Sequence, residues 1–354
     1  MKILFLCMHM SGLHGSVLHI LEYAKFFKSL DAEVCIGAVF IDPTIRKMVA
    51  SENISLYRIS YVPLDIEYDI VYALHLFLFP YLLIKGLAYK HAILGLLGVT
   101  VPLEQLPPSC MYPYFDLITA ISPEIIARYR DEFQLDEKLF TLVPNHLPVD
   151  FIEKSGVKTQ WAEKPGKLAV VSNHRVEELV EMAETAPWQT DFFGSEYGNS
   201  VPVTPELLLG YDAIITIGKT VQYGMGLGVP VFEYDYNGGC GWITPDNMET
   251  EAETNFSGRS TYAKMDAATL VRELAEGYAN AAAQAARLRE KALETFSIIK
   301  LITRQIKLVS ALPPKGQPIL TADAWFYANT CYLAIENMIG LMRLRNKGVD
   351  KSTR

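Results

Sequence analysis

The chain has 354 residues, half of them apolar, and a formal charge of −8. That length fits two domains, each able to bury a core, and the acidic balance argues against a dedicated nucleic-acid binder, which would carry a basic face. Cys7, Cys35, Cys110, Cys240 and Cys331 are scattered without metal-ligand spacing, which fits a reducing, cytoplasmic setting. The opening MKILFLCMHM starts like a signal peptide but lacks a small-residue cleavage site, so it reads as a buried strand. The apolar run Ile70 to Ile84, broken by His75 and Pro80, falls short of the ~20 residues that span a bilayer, and no transmembrane helix is predicted.

In chain order, Lys2 to Met8 is a strand and Ser11 to Ser16 a loop bearing Gly12 and Gly15. Val17 to Leu30 has helical periodicity. This is a βα unit with its glycine loop where open α/β sheets bind ligands. Strands follow at Ala32 to Phe40, Ser55 to Ser60 and Tyr68 to Leu74, with a helix at Pro43 to Ser51. Leu76 to Leu97 reads as helix, with Pro80 as a start or kink, and Val99 to Pro102 as a strand with Glu104 just beyond. Phe115 to Ala120 is a strand, Ser122-Pro123-Glu124 opens a helix, and Phe140 to Pro144 is the last strand of this half. The alternation points to a parallel sheet covered on both faces.

Asn145 to Gly166 has no clear period and reads as linker. A second sheet starts at Lys167 to Val171, after which Ser172-Asn173-His174 is expected to cap a helix from Arg175 to Glu184. Thr190 to Phe193 is a strand and Pro205 to Leu209 a helical turn. Ala213 to Ile217 is a buried strand that runs straight into Gly218-Lys219-Thr220. Thr220 is a good N-cap, the helix start offers unpaired N–H groups, and Lys219 adds a charge, so this turn is predicted to hold phosphate. It is not a P-loop, because Ala213 stands where the first glycine is required. Gly224, Gly226 and Gly228 have the wrong place and spacing for a dinucleotide fingerprint and are read as close helix-on-sheet packing. Val229 to Tyr234 is the next strand, followed by a glycine-rich loop. Glu233 and Asp235 are two apart, so both or neither line the cleft while the strand stays regular. Asn255 to Ser260 is a polar turn carrying Arg259, placed to wall the ligand. Ala267 to Ser297, Ile298 to Ala311 and Ala322 to Arg345 are helices. The last is read as packing on the body. The tail beyond it, with Arg343, Arg345, Lys347, Lys351 and Arg354 against Asp350, is a candidate for an anionic membrane surface.

All seven histidines lie at or before His174, and none forms an HxH or HxxxH pair, so no zinc site is expected. His14 and His174 each follow a strand and are the functional candidates. His75 and His91 are left to core or helix packing. No D-x-D pair is present to hold a metal–diphosphate, and phosphate charge would be met by Lys219, Arg259 and helix N-termini.

The order of these motifs resembles a GT-B glycosyltransferase over roughly residues 1–310. The motifs are the loop Ser11 to Ser16, DLITAISPEII at 116–126, VPNHLPVDF at 143–151 and IGKTVQYGMGLGVPVFEYD. VSNH, YDYNGGCGW and NFSGR further resemble a bacterial subgroup linked to capsule and lipopolysaccharide assembly. The resemblance implies two Rossmann-like domains facing each other across a cleft, with C-terminal helices. The boundaries are an acceptor-side domain at 1–150, a linker at 151–166, a donor-binding domain at 167–311 and a C-terminal helix with basic tail at 312–354. It implies a nucleotide-sugar donor as co-substrate, a glycan or lipid-linked acceptor, no metal or other cofactor, and a cytoplasmic location, peripheral at the inner face of a membrane if the tail binds lipid.

The implied donor residues are Gly218, Lys219, Thr220, Gln222, Ser172, Asn173, His174, Asn255, Ser257 and Arg259, with Gly12 and Gly15 on the acceptor side. Glu104 or His14 would take the acceptor proton, and Asp235 would stabilise or attack the anomeric carbon. Many retaining members carry an E-x7-E pair whose second glutamate would fall at Gln222 or Tyr223 and whose first would fall at Ile214 or Ile215; none of these is acidic. A CMP-linked sugar acid is therefore open beside UDP- or GDP-sugars. A nucleotide-sugar 2-epimerase and an inactive sugar-binding subunit are the alternative functions.

Overall fold

The computed structural model describes residues 1–352 except 76, 100, 102–103 and 155–160; beyond residue 342 it describes the backbone alone. It divides into two compact units: residues 1–121, 125–142 and 304–354, and residues 122–124 and 143–303.

The first unit holds β1 (Lys2–Leu6), β2 (His9–Met10), α1 (Gly15–Ser29), β3 (Glu33–Ala38), β4 (Phe40–Ile41), α2 (Pro43–Ser51), β5 (Ser55–Arg58) and β6 (Glu67–Ala73). It continues with α3 (Leu78–Ile84), β7 (Ala88–Leu96), β8 (Leu117–Ala120), α4 (Pro123–Phe133) and β9 (Phe140–Leu142). Seven of these strands form one sheet in the order β5-β3-β1-β6-β7-β8-β9, all pairs parallel. The chain runs outward from β1 to β5, then returns to the other side of β1 with β6. The order therefore reverses between β1 and β6, which is where open sheets form a ligand crevice.

The second unit holds α5 (Val149–Ile152), β10 (Lys167–Val171), α6 (Glu177–Thr185), β11 (Gln189–Phe193), α7 (Pro205–Leu209), β12 (Ala213–Thr216), α8 (Lys219–Leu227) and β13 (Val231–Asp235). It closes with β14 (Gly238–Trp242), α9 (Met248–Glu253) and α10 (Ala267–Phe296). Its sheet runs β11-β10-β12-β13-β14, with the reversal between β10 and β12. α11 (Ile298–Ser310) begins in this unit, and its end groups with the first unit, as does α12 (Ala322–Ser352). No helix among the described residues is long and apolar enough to cross a membrane.

Several sequence expectations are corrected. The helix read over Leu76 to Leu97 is instead α3 and the nine-residue strand β7. β7 lies between β6 and β8 and most of it is buried, so its apolar run carries no period that separates strand from helix. The strand expected at Val99 to Pro102 falls partly on residues outside those described, and Val99 and Val101 are not in a strand. The glycine-rich loop after β13 is the antiparallel strand β14. A Cβ on Gly239 would lie 1.8 Å from the Glu233 carbonyl oxygen, so this strand needs its glycine to approach β13. Helix α6 starts at Glu177 behind Val176, without a side-chain cap, and Ser172 to His174 precede it as loop.

The domain boundaries also differ from those read from sequence. Val143 to Asp150 groups with the second unit, and residues 312–354 group with the first. The start of the expected linker is fixed structure. Leu147 donates its N–H to Phe296 O at 2.7 Å and accepts from Ile298 N–H at 3.1 Å. The cationic tail side chains from Arg343 onward, Arg354 included, lie outside the described residues.

Candidate functional site

Both sheets gather polar groups at the carboxyl ends of the strands that flank their reversal. In the second unit, β12 ends at Thr216 and α8 begins at Lys219. The cap is Gly218 rather than the expected Thr220. Gly218 sits at φ 63°, which a side chain disfavours, and donates its N–H to Phe256 O. Thr220 lies in the first turn, where the Val221 N–H donates to Gly218 O at 3.0 Å. The helix is held tight on the sheet, because a Cβ on Gly224 would lie 2.5 Å from Val231 Cγ2. Gly228, in the left-handed region at φ 69°, ends it. The helix-on-sheet packing expected of these glycines holds at Gly224, whereas Gly226 faces the Leu147 side chain and Gly228 serves as the C-cap.

Lys219 Nζ lies 3.4 Å from His146 Nε2. An ammonium only donates, so Nε2 accepts and the imidazole proton sits on Nδ1. His146 is fully buried, and burial together with the Lys219 charge holds its pKa well below the usual range. The pair therefore carries one positive charge, on Lys219. Sequence reading placed His146 in a linker. Its one clue was the PN segment that contains it, because the burial comes from elements far away in the chain.

Two further contacts stitch this corner together. Gln222 Nε2 donates to Asn145 O at 3.1 Å, and Asn145 Nδ2 donates to Asn255 Oδ1 at 3.0 Å. Gln222 is buried and so braces the 145–146 segment. Asn255 and Phe256 both have positive φ, at 56° and 52°, which turns the 254–260 loop back onto α8. In that loop Ser257 donates its hydroxyl to Thr254 O, so it serves the turn. Arg259 makes a two-pronged ion pair with Glu124, of the segment 122–124 that groups with this unit, at 2.8 and 2.5 Å. That partner raises the Arg259 pKa and matches its charge.

At the end of β10, Ser172 Oγ donates to Asp235 Oδ2 at 2.6 Å and accepts from His174 N–H at 2.9 Å. His174 Nδ1 lies 3.5 Å from the same carboxylate oxygen, and the exposed ring packs against Tyr236 at 4.2 Å. Asp235 Oδ1 accepts from Tyr236 N–H at 2.7 Å. Burial raises the Asp235 pKa, and the Ser172 hydrogen bond opposes this. Asn173 Oδ1 accepts from Ser195 N–H at 3.3 Å and ties this loop to the end of β11.

Glu233 and Asp235 do not act as one face. The β13–β14 register shifts between them, which breaks the regularity that the two-residue argument assumed. Glu233 is turned instead to the 254–260 loop, accepting from Gly258 N–H at 2.6 Å. Burial, and then the nearby Glu251 carboxylate, push its pKa up to about 8.

In the first unit, Met8 follows β1 and His75 follows β6, across the reversal. Met8 donates its N–H to His75 Nδ1 at 2.7 Å. That leaves the proton on Nε2, which faces Glu104 Oε1 at 3.8 Å. Glu104 and His75 are both buried. A Cβ on Gly98 would lie 2.6 Å from Glu104 Oε2, so this glycine makes room for the carboxylate. His14 is exposed and caps α1 through its backbone only. Burial, and then the charges of His75 and His14, lower the His9 pKa. Gly12, at φ 65°, allows the turn beneath the His14 ring, and Gly15 opens α1 with open space where a Cβ would stand. His75 was missed in the sequence because the following residues read as helix; its position after a strand at the reversal was the available signal. His91 lies in β7, 3.7 Å from Asp116, a structural pairing.

No family model and no curated protein matches this chain in sequence. Solved structures do match it in fold. A glycosyltransferase from Rickettsia africae ESF-5 superposes with a TM-score of 0.54 at 15% identity, over 88% of this chain and 98% of that one. A mutant of S. aureus TarM, in complex with Fondaparinux, alpha-GlcNAc-glycerol and UDP, gives 0.55 at 8% identity, over 87% and 99%. TarM in a further structure gives 0.54 at 8% identity, over 87% and 98%. These neighbours are GT-B glycosyltransferases, and this chain shares their fold of two Rossmann-like units.

Proposed function

We propose that this chain is a glycosyltransferase that moves a sugar from a nucleotide-activated donor to a glycan or lipid-linked acceptor. The observation that carries the reading is Lys219, at the first turn of α8 beside the neutral His146, on the strand ends where the second sheet reverses. A fold shared with glycosyltransferases supports it, as does the UDP held by the TarM complex, which is a property of that protein.

In the proposed reaction the acceptor oxygen bonds to the anomeric carbon and the bond from that carbon to the donor phosphate breaks. The charge that grows on the leaving phosphate is met by Lys219 and the N–H groups of the α8 first turn, without a metal ion. The acceptor proton passes to the Glu104 carboxylate. His75 Nε2 faces that carboxylate at 3.8 Å, within ion-pair rather than hydrogen-bond reach. Asp235 is given an orienting role, since its two oxygens accept from Ser172 and the Tyr236 backbone. Ser172, Asn173 and His174 form the loop that faces the donor.

The test is a thermal-shift screen with UDP, GDP, ADP, TDP and CMP, followed by turnover of the sugar donors of whichever nucleotide binds. The expected outcome is stabilisation by one nucleotide and transfer to an added acceptor. Binding without turnover of any donor would make the chain a sugar-binding subunit, which the absence of glutamate at Gln222 and Tyr223 keeps as the second reading. A 2-epimerised donor formed without acceptor would overturn transfer altogether.

A further inference from the structure

Helix α12 has two unlike faces. Ala324, Ala328, Cys331, Ile335 and Ile339 are buried against the first unit. There Tyr332 stacks on Tyr81 at 5.5 Å, and Tyr81 donates its hydroxyl to Glu336 at 2.6 Å. On the outward side Phe326 is 72% exposed, Leu341 67%, Leu333 54% and Trp325 53%, and Ile319, just before the helix, is 93% exposed.

A helix lying on a protein body normally turns charged residues to water. From Ala324 to Met342 this helix has no lysine, arginine or aspartate, and its one glutamate is Glu336, which serves Tyr81. The outward face is filled by bulky apolar side chains among Thr330, Ala334 and Asn337. Exposed apolar groups gathered on one face mark an interaction surface. The reading of this helix as merely packed on the body accounts for one face only.

What covers the other face is indicated by the charge that follows it. The same helix continues to Ser352, and the sequence there carries Arg343, Arg345, Lys347 and Lys351, with Arg354 beyond, against a single acid, Asp350. The rest of the chain is acidic enough to give a net charge of −8, so the cations are a local feature. Trp, Phe and Leu on one face, continued by a cationic segment, match the two layers of an anionic bilayer surface, acyl boundary and headgroup. A second copy paired through the same helix would cover the apolar part, but that face brings no anions to the cationic part, because its one acid between Ala324 and Met342 is Glu336, which serves Tyr81. The helix is not apolar enough to span the bilayer, so it would lie on it.

We propose that α12 docks the first unit on an anionic lipid surface, with Trp325, Phe326, Leu333 and Leu341 in the interface and the cationic segment against the headgroups. This proposal does not depend on glycosyl transfer. It is tested with the full chain, sedimented with vesicles of phosphatidylcholine alone or mixed with phosphatidylglycerol. Binding is expected to the mixed vesicles and to weaken with salt. The double variant Phe326→Ser, Leu333→Ser should bind roughly tenfold more weakly or worse, with an unchanged melting temperature because both positions are exposed. The triple variant Arg343→Gln, Arg345→Gln, Lys347→Gln should also weaken binding and lose most of its salt dependence. Equal binding to both vesicle types, or none to either, overturns the proposal. A concentration-dependent dimer that the serine variant dissociates, without vesicle binding, would assign the face to a second copy instead.

Discussion

The two sheets share a parallel architecture with one reversal of strand order, yet they arm that reversal differently. In the first unit the groups at the reversal are the Met8 N–H after β1 and the His75 imidazole after β6, with the Glu104 carboxylate, which follows β7, 3.8 Å from His75 Nε2. In the second, the groups after β10 and β12 include an ammonium at a helix start, with a buried imidazole that stays neutral beside it. The first arrangement suits taking a proton and the second suits holding an anion. The same fold element is thus specialised by a few side chains placed where strand order reverses, as expected where function is grafted onto a fold.

Breaking the anion side should have the largest effect. Lys219→Ala should lower turnover by about 10²–10³-fold, the range for losing one electrostatic donor to a developing charge. His146 would lose the neighbouring charge that depresses its pKa, and the melting temperature without ligand should hold within a few degrees. Near-normal turnover would remove Lys219 from the phosphate role.

On the proton side, Glu104→Gln keeps the shape and removes the base. A fall in kcat of roughly 10²-fold or more is expected, with nucleotide binding in the thermal-shift assay unchanged. His75→Asn should fall between the variant and the native chain and should shift the pH profile of kcat. A Glu104→Gln protein with normal kcat would move the base elsewhere, His14 being the next candidate.

The smallest effect is a pH dependence that belongs to the second unit alone. In the folded chain burial, and then the Glu251 carboxylate, push the Glu233 pKa up to about 8, above the ordinary carboxyl range. A raised carboxyl pKa means the folded state holds a proton that the unfolded state has released. Its contribution to stability is therefore complete below the unfolded value and is lost as pH rises through about 8. Melting temperature measured from pH 5 to 9 should show this decline, and Glu233→Gln should flatten it. An identical slope in the variant would assign the decline to other groups.

Much of this was legible in the residues. β1, β6 and β12 are short apolar runs followed by polar turns, and α2 starts with Asp42 and Pro43, whose capping is local chemistry. The place of Lys219 at a helix start was legible for the same reason, since a buried strand running into a polar turn marks the next helix within a few residues. His75 and His146 were not. Each takes its role from a partner about seventy residues away in the chain, Met8 and Lys219 respectively.

The sequence by itself determined the α/β class, the alternation of strands and helices in both halves, and the helix-start lysine, because these follow from local period, capping and burial. Only the tertiary structure decided which strand flanks which, and hence which side chains meet at each reversal. It also decided that β7 and β14 are strands, because a fully buried run and a glycine-rich run carry no distinguishing period of their own. The bulge that separates Glu233 from Asp235, and the ion pair that holds Arg259, were likewise settled by contacts between distant segments, which no local pattern encodes.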